Sequence, residues 1–123
     1  MLRATVARVF YRVIRGPRPA PEDFKSAKEL GKPPPVRPEQ QTLWDGLSVY
    51  ATEQQARKRA RSLREIGHSI GDYIAEVEVP DGGGFTVQRT SSSPGHHTVW
   101  GPLRRLVDCV RRVTAVDSTD AVE

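Results

Sequence analysis

The chain has very little thiol or metal-binding chemistry: among 123 residues there is one cysteine, one methionine and three histidines. Cys109 on its own excludes an internal disulfide, and its apolar surroundings predict a buried, inert thiol suited to a reducing cytoplasm. The histidines are His68 and the adjacent pair His96 and His97, with no CxxC or HExxH spacing anywhere. Neighbouring residues on a strand point to opposite faces, so His96 and His97 do not converge on one ion, and no metal site is expected. Apolar runs fall far short of the ~20 residues a membrane-spanning helix needs, and no apolar stretch follows Arg3 and Arg8 to make a secretion signal. The glycine cluster Asp81-Gly82-Gly83-Gly84 has neither the strand-to-helix setting nor the lysine of a phosphate-cradling loop, and reads as a turn between strands. No internal repeat is visible.

The sequence does have an uneven basic charge. The net charge is +4, with arginines at 3, 8, 12 and 15 and again along 57–64, while Asp117, Asp120 and Glu123 make the end acidic. Such a balance is compatible with nucleic acid, with phosphorylated ligands or with no specific partner. Seven of the ten prolines lie between Pro17 and Pro38. That density removes backbone donors and favours extended chain.

Hydrophobic periodicity then orders the elements. Residues 6–15 (VARVFYRVIR) read as a central strand, with Val9, Tyr11 and Val13 on one face and Phe10, Arg12 and Ile14 on the other. A short helix is predicted over 21–31, with Pro21 at its start, Phe24, Ala27 and Leu30 as its stripe and Gly31 as its cap. A loop follows over 32–42. Trp44 to Ala51 reads as the second strand. Thr52 and Gln55 then make a capping box for a helix whose inner side is Ala56, Ala60, Leu63 and Ile66 or Gly67. Strands are predicted over 72–79, 85–89, 97–100 and 112–116, with a helix opening at Pro102. This order gives one α+β domain over 1–116: a single mixed, mostly antiparallel sheet of five or six strands carrying two or three helices. Residues 17–42 form its Pro-rich connection and 117–123 a frayed acidic tail.

Four sets of residues are candidates for chemistry. Strand alternation puts Ser48, Tyr50 and Thr52 on one face near a helix N-terminus, where their hydroxyls suit a ribose, an amide or a phosphate, or simply satisfy their own neighbours. Arg12, among apolar neighbours on a central strand, needs either an internal carboxylate such as Glu76 or Glu78, or a bound anion. In the run Ser93-Pro94-Gly95-His96-His97-Thr98-Val99-Trp100, one histidine could act as base or donor, and His97 is placed with the hydroxyl strand. Arg57, Lys58, Arg61 and Arg64 form a helix face that either contacts nucleic acid or is merely solvated. The Pro-rich 32–38 segment is a further candidate, for docking on a partner protein.

The early Phe10-Tyr11-Arg12 strand, the later Ser48-Val49-Tyr50-Ala51-Thr52 strand and the helix behind it resemble small members of the ADP-ribosyltransferase-like group. That resemblance implies a split α+β sheet around a nicotinamide cofactor, NAD. Arg12 would hold a phosphate or ribose, and Ser48 with Thr52 would scaffold the pocket. The glutamate that drives transfer in that group has no counterpart here, because the late strand carries His96, His97 and Trp100. The pattern GLSVYAT…GHHTVWG is also similar to that of small bacterial proteins from which no activity carries over. Together these features predict a nucleotide pocket lined by Arg12, Ser48, Tyr50, Thr52 and His97.

Overall fold

The computed structural model describes residues 8–90 and 93–117. Its frame is one open sheet of six strands: β1 (Arg8–Ile14), β2 (Leu47–Tyr50), β3 (Tyr73–Val79), β4 (Thr86–Arg89), β5 (His96–Trp100) and β6 (Val110–Ala115). They lie in the order β4-β5-β2-β1-β3-β6, and every pairing is antiparallel. β1 is central, as its apolar residues on both faces require. None of the helices among the described residues is long and apolar enough to cross a membrane.

The two faces bury different sets of side chains. Phe10, Ile14, Leu47, Val49, Val77, Val79 and Val99 point to one face, where Phe24 and the 3₁₀ segment Leu103–Cys109 close over them through Leu103 and Leu106. Val13, Tyr50 and Ile74 point to the other, against Ala56 and Ala60 of helix α2 (Glu53–Glu65). The small alanines let α2 approach the sheet closely, and both are almost fully buried. α2 covers Ile74 as well, leaving 1% of it exposed.

α2 begins where the sequence places it. Thr52 is the N-cap, and its hydroxyl accepts from the Gln55 N–H at 3.1 Å. The reciprocal half of the predicted capping box is missing, because Gln55 Oε1 is buried with no partner among the described residues. Thr52→Ala should therefore remove the working half and destabilise the fold by about 1 kcal/mol, read from a denaturant midpoint at unchanged slope. At the other end Ile66 is 77% exposed rather than part of the inner face.

Three other expectations are corrected. The predicted 21–31 helix reduces to one 3₁₀ turn, Pro21–Phe24, followed by turns that end at Gly31 with φ +81°; Phe24 is buried but Leu30 is exposed. The expected 32–42 loop contains helix α1 (Pro38–Trp44), so Trp44 ends a helix instead of starting a strand. Pro38 at the first helical turn, followed by the good helix formers Glu39, Gln40 and Gln41, favours this outcome, and the turn at Asp45-Gly46 precedes β2. The expected helix after Pro102 is 3₁₀, and β6 starts at Val110. Cys109 is only half-buried, with its thiol pushed above the usual value mainly by burial. Of the predicted tail, only Asp117 falls within the described residues.

Candidate functional site

β1 is paired unevenly on its two sides. Against β3 it runs in register from Arg8↔Val79 to Ile14↔Tyr73, whereas against β2 the register holds only the pair Tyr11↔Tyr50. The sheet opens beyond that pair, and Arg12 reaches into the opening. Its Nη1 donates to the Ser48 carbonyl at 2.9 Å and its Nε donates to the Asp23 carbonyl at 3.0 Å. The guanidinium thus uses one carbonyl of β2, where the ladder to β1 has stopped, and one from the 3₁₀ turn Pro21–Phe24. The expected carboxylate partners are elsewhere: Glu76 pairs with Arg111 and Arg112. Arg12 has no ion pair among the described residues. Burial lowers its pKa to about 10, an effect opposed by Asp23, so the group stays charged at neutral pH.

Around this guanidinium is a cleft of about 540 Å³. Ser48 and Tyr50 of β2 and His96 of β5 form one wall, Arg59 and Leu63 of α2 lie above, and residues 68–70 with Glu22, Asp23, Leu30 and Lys32 complete the rim. The volume is that of a small-molecule site. Its permanent cations are Arg12, Arg15, Lys32 and Arg59, set against the carboxylates of Glu22 and Asp23. Both acids already have partners. Asp23 accepts from the backbone N–H groups of Ala20 at 2.9 Å and Arg15 at 3.3 Å, and Glu22 from Lys25 Nζ at 3.0 Å. Arg15, Lys32 and Arg59 form no ion pair among the described residues, so the cleft carries excess positive charge.

Tyr50 is buried, which pushes its phenol above 10.0; the charge of Arg59 and its hydrogen bond to the phenol work in the opposite direction, as does the charge of Arg12. The hydroxyl remains a neutral donor at physiological pH. His96 stands edge-on to the Tyr50 ring, with centroids 5.4 Å apart, and its Nε2 lies 3.0 Å from Ser48 Oγ. Burial, then the charges of His97 and Arg59, pull its pKa below 6.5.

Of the five residues assigned to the pocket, Arg12, Ser48 and Tyr50 line the cleft, while Thr52 and His97 do not. Thr52 is engaged in capping α2. His97 pairs across to Val49, on the opposite face from Tyr50↔His96, and packs against Phe10 at 5.1 Å. The register pairs Tyr50 with His96 and Val49 with His97, so His96, not His97, falls on the hydroxyl side. Arg59 was also missed. It lies among the basic residues of α2, and only the docking of Ala56 and Ala60 shows which cations turn toward the cleft.

The expected basic row is largely occupied by the end of the chain. Arg57 donates to the carbonyls of Val116 at 3.0 Å and Ala115 at 3.3 Å, and to Glu53 at 2.8 Å. Arg61 donates to the Val116 carbonyl at 2.9 Å, and Arg64 grips Asp117 through two bonds of 2.7 and 3.0 Å. Only Lys58 of the four projects without a partner among the described residues. The row acts as a clasp for the end of β6 and the turn that follows it.

Compared with protein-family models, with curated proteins and with solved structures, the chain finds no significant match.

Proposed function

We propose that the cleft between β1 and β2 binds a small phosphorylated ligand of the nucleotide class. The observation that carries this reading is the half-buried guanidinium of Arg12, held by two carbonyls and no carboxylate, with Arg59, Arg15 and Lys32 around the same hollow. A half-buried cation whose hydrogen bonds go only to carbonyls favours an arriving anion, and a guanidinium fork matches phosphate oxygens. The Ser48, Tyr50 and His96 side chains supply the donors and acceptors that a ribose or base requires. NAD belongs to this ligand class and is the member that the likeness to ADP-ribosyltransferases suggests. Binding is the function proposed here, since both cleft carboxylates are already engaged by backbone or lysine donors.

Calorimetry with AMP, ADP-ribose and NAD tests the reading. Heat of binding is expected, with affinity reduced about 10- to 100-fold in Arg59→Gln, the range for one lost charge-assisted hydrogen bond. Arg59 touches the sheet through its hydrogen bond to the Tyr50 phenol, so the unfolding midpoint of the variant is measured alongside to separate binding from folding. Affinity should also fall as salt rises. Absence of heat at millimolar ligand, in protein folded by circular dichroism, would refute the proposal.

A further inference from the structure

The wall of the cleft holds an arrangement that simple binding does not require. Register pairs Tyr50 with His96 and Ser48 with Thr98, which places all four side chains on one face of β2 and β5. On that face His96 Nε2 lies 3.0 Å from Ser48 Oγ, and its Nδ1 lies 3.1 Å from Thr90 Oγ1. Thr90 is itself fixed by the hydroxyl of buried Thr98 at 2.6 Å. Among the described residues Ser48 Oγ has no other partner, and Ser48 is exposed to the cleft although β2 is an interior strand. A hydroxyl bonded to an imidazole whose far nitrogen is held by a third group is the spatial signature of an activated nucleophile.

We propose that Ser48 and His96 act as nucleophile and general base toward the phosphorus of a nucleotide phosphodiester bound in the cleft. The proposal rests on the phosphate-binding reading above, since Arg12 and Arg59 are the groups that would take the charge of the non-bridging oxygens. The proton arrangement it uses runs in one direction. Ser48 donates to Nε2, Nδ1–H donates to Thr90, and Thr90 donates to Thr98. As the Ser48 Oγ–P bond forms, the bond from phosphorus to the leaving oxygen breaks. The serine proton passes to Nε2 and from there to that leaving oxygen, which departs as an alcohol. Water then attacks phosphorus, giving its proton to Nε2, and the serine oxygen leaves and recovers that proton. The sum is one diester and one water to one monoester and one alcohol.

The charged and titratable groups acting on His96 are Tyr50 from β2, Arg59 from α2 and, from the opposite face of its own strand, His97. None is a carboxylate. The imidazole is therefore neutral at pH 7 and available as a base.

Bis(p-nitrophenyl) phosphate is the probe, with chelator present to silence contaminating enzymes. The full chain should release p-nitrophenolate in a burst stoichiometric with protein, and peptide mass mapping should place the retained p-nitrophenyl phosphate on Ser48. The burst rate should rise with pH to a plateau, with a midpoint below 6.5. Ser48→Ala should abolish the adduct, and His96→Gln should slow its formation about 100-fold or more, the usual contribution of a general base. Circular dichroism checks that both variants fold. If wild-type protein binds AMP by calorimetry yet gives neither burst nor adduct between pH 5 and 8, the nucleophile is refuted while the binding site stands; in that case the hydrogen bonds run the other way and Nε2–H donates to Ser48. Failure of both measurements removes the binding reading as well. An adduct on any other residue also overturns the assignment.

Discussion

Phe24→Ala is expected to lower the unfolding free energy by about 3–5 kcal/mol, the range for emptying an aromatic site in a well-packed core. Phe24 is completely buried and joins Phe10, Ile14, Leu47 and Val77 on the face away from α2. Nothing else in the 3₁₀ turn Pro21–Phe24 is buried, so this ring is the anchor by which the Pro-rich connection closes over the sheet. Against a total stability of roughly 5–15 kcal/mol for a domain, the loss is a large fraction. The consequence for the cleft is direct. Residue 23 supplies the carbonyl that holds Arg12 Nε, and its carboxylate caps Ala20 and Arg15. Freeing the turn should therefore release the guanidinium and weaken phosphate binding under conditions where the sheet persists. Phe24→Leu keeps most of the volume and should cost distinctly less. Denaturant unfolding of both variants decides the matter, and a loss below about 1 kcal/mol for alanine would show that the ring is not the anchor.

The sheet was readable in the sequence because its strands alternate against a core on one or both sides. The 73–79 run and the 8–14 run are clear examples, and β1 was read as central from its apolar residues on both faces. What failed was local order set by tertiary contact. The segment 38–44 lacks a clean apolar stripe, and it is held by Trp44 Nε1 donating to the Lys32 carbonyl at 2.9 Å and Trp100 Nε1 donating to the Thr42 carbonyl at 2.6 Å. Those bonds come from residues distant in sequence, so periodicity carries no trace of them.

The cleft was half legible for a similar reason. Arg12 stood out because a cation among β-branched and aromatic residues demands a partner, and Ser48 with Tyr50 followed from alternation. The choice between His96 and His97 turns on the pairing register of β5 with β2, and in a strand a one-residue difference in register reverses the face. The basic helix shows a different limit. Arg57, Arg61 and Arg64 look like a free surface row until the chain returns beside them, where the carbonyls of Ala115 and Val116 and the Asp117 carboxylate take up their donors. Composition registers the charge but not its internal use.

Gly71→Ala should destabilise the protein by roughly 2–5 kcal/mol, combining backbone strain with overpacking against atoms that have nowhere to go. Gly71 has φ +150°, and a Cβ built there would collide with the Ile14 carbonyl oxygen and lie 2.7 Å from its carbon and 3.0 Å from Val13 Cγ1. Ile14 is the last residue of β1, is 1% exposed and is paired with Tyr73, so it cannot step aside. The loop must move instead, and that loop carries His68, Ser69 and Ile70 on the cleft rim. Ligand affinity should therefore fall together with stability, although residue 71 is not among those lining the cleft. Gly67, at the other end of the same loop, provides the control. Its φ is +83°, but a Cβ there meets nothing within 4 Å. Gly67→Ala should cost only the left-handed backbone term, about 1–2 kcal/mol, and leave binding unchanged. Thermal or denaturant unfolding of the two variants, followed by calorimetry with AMP, separates the contributions. Equal losses of stability with equal affinities would mean that close approach to β1 does not hold this rim in place, and that the cleft owes its shape to the other walls.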